Sequence, residues 1–130
     1  MKNKILKKLI IIFLNLFFAN LVSAQNIEFK ATDIEFFQDQ NLTIAKNGIV
    51  IIKEDKISAE GTEIKYFKDK SLLLIKEGKI FKSDENIEIS SKSIEYKIDK
   101  SNLTLRNNVK VEDNNNNIFI NSNEMNYDII

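Results

Sequence analysis

The chain has 130 residues, 43% hydrophobic and 29% charged, and its 19 basic and 19 acidic residues sum to a net charge of zero. That length holds one ordinary domain. Histidine and cysteine are absent, which removes the commonest general base, the usual zinc ligands, the thiol nucleophile and any disulfide framework. That leaves a binding or structural protein, or an enzyme using carboxylates alone; the regular acids Asp39, Asp69 and Asp99 fall at turn starts, so no enzyme, cofactor or metal is expected.

The N-terminus comes first. Lys2, Lys4, Lys7 and Lys8 precede an apolar run from Leu9 to Phe18, broken by Asn15, and Val22 and Ala24 suit the −3 and −1 positions of a signal-peptidase site. From Leu9 to Val22 the run falls short of the roughly 20 residues that a spanning helix needs. Residues 1–24 therefore read as an export signal, cleaved between Ala24 and Gln25, and residues 25–130 as the mature domain. Removing the four lysines leaves 15 basic against 19 acidic residues, a net charge of −4. That sign argues against a nucleic-acid partner, which favours a basic surface.

The mature chain repeats itself. Ile27, Ile57 and Ile87 are 30 residues apart and Ile118 follows after 31. Seven residues beyond each stands Ile34, Ile64, Ile94 or Met125, and two further on Phe36, Tyr66, Tyr96 or Tyr127. About three and a half units of this kind fill residues 25–130. Within each unit a strand opens with period-2 alternation, as in Ile27/Phe29/Ala31, Ile57/Ala59/Gly61, Ile87/Ile89/Ser91 and Ile118/Ile120/Ser122. A three-residue step to Ile34, Ile64, Ile94 or Met125 then shifts the phase, always after a small residue. Such a step needs a bulge or corner. The expectation is a bent strand that leaves one sheet and enters a second.

Loops at 38–41, 68–71 and 98–102 follow, with Asp39, Asp69 and Asp99 placed to accept bonds from nearby backbone amides. Return strands are expected over Leu42–Ile52, Leu72–Lys82 and from Leu103 to Val111, the third unit having gained one residue before Leu103. Gly48, Gly78 and Asn107 or Asn108 interrupt them, as a bulge with positive φ requires. Outer loops are expected at 53–56, 83–86 and 113–117. The Asn-x-Thr sequences at Asn41 and Asn102 fit turn residues better than glycosylation sites. The mature domain is all-β. Its apolar seam is either the protein's own core or a trough for lipid.

The segments Ala31-Thr-Asp-Ile-Glu-Phe36, Leu42-Thr-Ile-Ala-Lys-Asn-Gly-Ile-Val50, Gly61-Thr-Glu-Ile-Lys-Tyr66, Leu72-Leu-Leu-Ile-Lys-Glu-Gly-Lys-Ile80 and Ser91-Lys-Ser-Ile-Glu-Tyr96 closely resemble the OstA-like domain. That domain occurs in the lipopolysaccharide-transport proteins LptA and the N-terminal part of LptD. The resemblance covers Asn26 to Tyr127, although the family's usual Gly-Asn-Val is here Gly48-Ile-Val50, Gly78-Lys-Ile80 and Asn107-Asn-Val109. It implies a twisted, V-shaped β-jellyroll of antiparallel strands, located in the periplasm, either free there or associated with the outer membrane. The implied partners are lipopolysaccharide, other OstA-like jellyroll domains joined edge strand to edge strand, and the outer-membrane translocon for lipopolysaccharide. The implied lipid contacts are the inward set Ile27, Phe29, Ile34, Phe36, Leu42, Ile44, Val50, Ile52, Ile57, Ile64, Tyr66, Leu72, Leu74, Ile80, Ile87, Ile89, Ile94, Tyr96, Leu103 and Val109. The chain stops midway through a fourth unit, as expected of a fragment or of a domain whose continuation is missing. An LptA-like bridge and the N-terminal region of an LptD-like protein both fit, with a slight lean towards the LptD type because the match starts directly after the export signal. The alternative is a β-solenoid surface protein or adhesin. Antiparallel pairing of 34–37 with 42–45 favours the jellyroll, and parallel stacking of Ile34, Ile64 and Ile94 the solenoid.

Overall fold

The computed structural model of the chain describes residues 26–129, so the export signal and its cleavage site lie outside the described residues. Seven strands follow one another: β1 (Ile27–Phe37), β2 (Leu42–Ile52), β3 (Ile57–Phe67), β4 (Leu72–Lys82), β5 (Ile87–Lys97), β6 (Asn102–Asp113) and β7 (Ile118–Asp128). They form one antiparallel sheet in sequence order, a meander with β1 and β7 at its edges. Ile34 faces Ala45 and Phe37 faces Leu42, the antiparallel pairing that excludes a parallel solenoid. The expected second sheet is absent among the described residues. Each strand runs unbroken through its bend, because β1–β5 take the three-residue step at the same level and neighbouring pleats slip in phase together.

The bend has a chemical signature. At Gly48 a Cβ would sit 2.7 Å from the Lys30 carbonyl oxygen and 2.9 Å from Ala31 Cα, and at Gly78 2.8 Å from the Glu60 carbonyl oxygen. Ala31, Gly48, Gly61, Gly78 and Ser91 thus form a column of small residues where neighbouring backbones crowd. Neither Gly48 nor Gly78 has positive φ, contrary to the expectation from glycine's freedom; the left-handed residues are the preceding Asn47 and Glu77. Glycine is needed there for space. At the bend the Thr32 hydroxyl donates to the Lys46 carbonyl and the Thr62 hydroxyl to the Lys76 carbonyl, each at 3.0 Å.

The third unit departs from the expected alignment. Asn41, Ser71 and Ser101 close the three 3-10 turns in the same left-handed conformation, so no residue is inserted there and Leu103 corresponds to Leu73 rather than Leu72. The extra residue lies at the bend of β6, where Asn107 and Asn108 both have positive φ and the register shifts against β5 and β7. No side-chain bond caps the three 3-10 turns, so Asp39, Asp69 and Asp99 do not act as expected. The Asx-type turn occurs instead at Asp113, which accepts from the Asn115 and Asn116 amides at 3.0 Å each. Its bonds with Asn116, from side chain and backbone, hold its carboxyl below the ordinary carboxylate value.

Candidate functional site: the apolar interior

Alternate residues of each strand point to one face, and the register joins them into rungs that cross the whole sheet. One rung runs Ile34, Ala45, Ile64, Ile75, Ile94, Leu105, Met125. The next runs Phe36, Thr43, Tyr66, Leu73, Tyr96, Leu103, Tyr127. On the other side of the bend, Phe29, Val50, Ala59, Ile80, Ile89, Val111 and Ile120 make a third. Ile27, Ile52, Ile57, Lys82, Ile87, Asp113 and Ile118 make the last. Residues from both arms of the bent sheet join one core cluster. Since a single layer cannot bury its own face, the arms must fold onto each other as a V.

Of the sequence-derived inward residues, Leu42, Ile44, Leu72 and Leu74 are misplaced. Leu42 pairs with Phe67 and Leu72 with Lys97, while Ile44 and Leu74 flank Lys65, all on the outer face. Their neighbours Thr43, Ala45, Leu73 and Ile75 take the interior positions. Leu105 and Val111 were missed as well. The other residues of the expected set, namely Ile27, Phe29, Ile34, Phe36, Val50, Ile52, Ile57, Ile64, Tyr66, Ile80, Ile87, Ile89, Ile94, Tyr96, Leu103 and Val109, do lie on the inner side.

The interior is tight in the middle and loose at its ends. Val50, Ile64, Leu73, Ile80, Ile94, Tyr96 and Leu105 have at most 1% of their surface exposed. On the edge strands Phe36 is 71% exposed, Ile118 47% and Ile120 42%. The seam is thus a closed core across β2–β6 and an open apolar face at β1 and β7. A surface depression lined by Ile49, Ser58, Glu60, Lys79, Phe81 and Glu88 belongs to the outer face, where Lys79 pairs with Glu88 at 3.0 Å.

Two polar features interrupt the interior. The Tyr96 hydroxyl donates to Asp55 Oδ2 at 2.6 Å, linking the end of β5 to the β2–β3 turn on the opposite arm. Burial, then the bond to Asp55, raises the Tyr96 pKa well above the ordinary tyrosine value, so the phenol stays a donor. Nearer β7, Lys82 is buried on the inner face and pairs with Glu85. Tyr127 lies near this pair, and burial with the Glu85 charge raises its pKa too. Among the described residues no group of three or more carboxylates could hold a metal ion. The arrangement offers apolar surface and a few hydrogen bonds, which suits holding a greasy ligand.

No protein-family model matches the sequence, and no curated protein does. The fold has a solved counterpart. LptH of Pseudomonas aeruginosa, described as the LptA-homologous periplasmic component of the conserved lipopolysaccharide transport device, matches with a TM-score of 0.72 at 14% sequence identity. The match covers 81% of this chain and 77% of that one. At that identity the likeness is one of fold: this chain has the twisted, unclosed jellyroll of the LptA type.

Proposed function

We propose that this chain is a periplasmic lipopolysaccharide-binding domain, a bridge-type component of lipopolysaccharide transport to the outer membrane. The observation that carries the reading is the continuity of the apolar interior, which runs through all seven strands and surfaces at both sheet edges. The LptA-type fold supports it.

The energetics permit it. Each acyl methylene taken out of water contributes about 0.8 kcal/mol, so a chain of about twelve contributes about 10 kcal/mol. Opening the V replaces side-chain contacts with equally apolar acyl contacts, and a broken hydrogen bond costs about 1 kcal/mol. The acyl gain is therefore the larger quantity. A largely apolar seam binds without a polar code, which lets a lipid slide along it. The edges suit joints. β1 and β7 leave one row of backbone groups unpaired, and β7 adds the exposed Phe119. Strand addition by a neighbouring jellyroll would cover both.

The experiment is copurification. The full chain, expressed in a lipopolysaccharide-producing cell and recovered after export, is expected to carry bound lipopolysaccharide. Ile120→Ser changes an inner residue that is already exposed, so it should leave folding intact and reduce the bound lipid severalfold. Recovery of the folded protein without lipid would overturn the reading.

A further inference from the structure

Each tyrosine of the repeat meets residues of an earlier unit across the V. Tyr66 packs on Phe29 with ring centroids 6.1 Å apart, Tyr96 bonds to Asp55, and Tyr127 feels the charges of Glu85 and Lys82. Tyr66 and Tyr127 are half-buried, whereas Tyr96 has no exposed surface. Tyr96 stands two residues before the 3-10 turn Ile98–Lys100, at the tip of one arm, and Asp55 sits in the turn at the tip of the other. Their bond spans the mouth.

We propose that the Tyr96–Asp55 hydrogen bond is a latch that holds the mouth of the V closed in the lipid-free domain and must break before an acyl chain can occupy the middle of the interior. The closing role stands on the geometry alone; the gating role rests on the acyl-binding reading above. Three observations carry the closing role. The bond joins residues 41 apart in sequence and on opposite arms, so it resists opening and little else. It is a polar contact at the margin of an apolar core, and a hydrogen bond fails over a few tenths of an ångström where apolar packing yields gradually. The core behind it, at Ile64, Leu73 and Ile94, is closed with the latch made, so an acyl chain cannot lie there until the arms part. At the sheet edges the inner face is already open, and a lipid can reach those ends first.

The chain has no native cysteine, so spin labels can be placed uniquely at Lys53→Cys and Lys100→Cys, exposed positions on the two tips. Distances between the labels are measured without lipid in the otherwise native full chain and with Tyr96→Phe, Asp55→Ala or Asp55→Asn. Tyr96→Phe keeps the ring and removes the donor, and Asp55→Asn keeps an acceptor. Tyr96→Phe and Asp55→Ala are expected to add a longer-distance population and speed uptake of purified lipid A roughly 2- to 10-fold, the effect of one hydrogen bond. Asp55→Asn is expected to stay close to the native protein. An unchanged distance distribution in both disrupting variants would overturn the latch. Wider arms with an unchanged uptake rate would overturn its gating role. Wider arms in proteins that take up no lipid A would leave the latch standing and remove the acyl-binding reading instead.

Discussion

Leu73 and Leu72 are adjacent, chemically identical and on opposite faces, so truncating each to alanine measures which face is the core. Leu73 is fully buried between Tyr66 and Tyr96 on a strand paired along both sides. Two ladders hold the backbone, so the cavity left by Leu73→Ala cannot collapse. Core leucine truncations cost about 2–5 kcal/mol, and the unrelaxed site puts this one at about 3–4 kcal/mol. Leu72 lies on the outer face between Phe67 and Lys97 and is already half-exposed, so Leu72→Ala should cost under about 1 kcal/mol. Equilibrium urea unfolding reads both. With a slope of about 2 kcal/mol per molar, the midpoint should fall by about 1.5–2 M for Leu73→Ala and by under about 0.5 M for Leu72→Ala. Against a total of about 5–15 kcal/mol, the first loss is severe and the second minor. Equal losses, or a larger one at Leu72, would refute the assignment of faces and with it the interior described above.

Gly78→Ala places a methyl against the Glu60 carbonyl and Ile75, neither of which can move freely, and should cost about 1–3 kcal/mol by the same assay. Deleting Asn108 restores the 30-residue spacing of the earlier units; the fold should survive with an unchanged far-ultraviolet spectrum, whereas inserting a residue between Leu73 and Leu74 should abolish cooperative unfolding by reversing faces. Tyr66, Tyr96 and Tyr127 all have raised pKa values, chiefly through burial. The folded state therefore holds the phenol proton more tightly, so this contribution to stability is fully present below the ordinary tyrosine value of 10.0 and declines as pH rises above it. A spectrophotometric titration should show the phenolate band appearing together with unfolding; ionisation of all three at the ordinary value in folded protein would contradict their burial.

The 30-residue period, the strands, the bend and its small residues were legible because each is demanded by the backbone. A crowded crossing admits only Ala, Gly or Ser, and alternation exposes the phase of β1, β3 and β5. The return strands hid their faces. Leu72-Leu73-Leu74-Ile75 is apolar throughout and has no phase of its own. Leu42-Thr43-Ile44-Ala45 misleads by size, since its large residues are outside and Thr and Ala inside. Only pairing with Ile64 and Tyr66, whose phase is clear, settles the matter. Leu103 then looked displaced because Asn102 occupies the outer position that Leu42 and Leu72 hold. Asp55 gave no signal either. Its role comes from meeting Tyr96 across the V, and nothing local to either residue announces that.

The central claim is that lipid occupies the inner face of the bent sheet. Photo-crosslinking residues introduced at Ile64 and Ile94, with Lys65 and Glu95 as outward controls one position away, test it in lipopolysaccharide-producing cells. The account predicts lipopolysaccharide adducts at Ile64 and Ile94 and none at the controls. Adducts at all four positions, or at none, would contradict it.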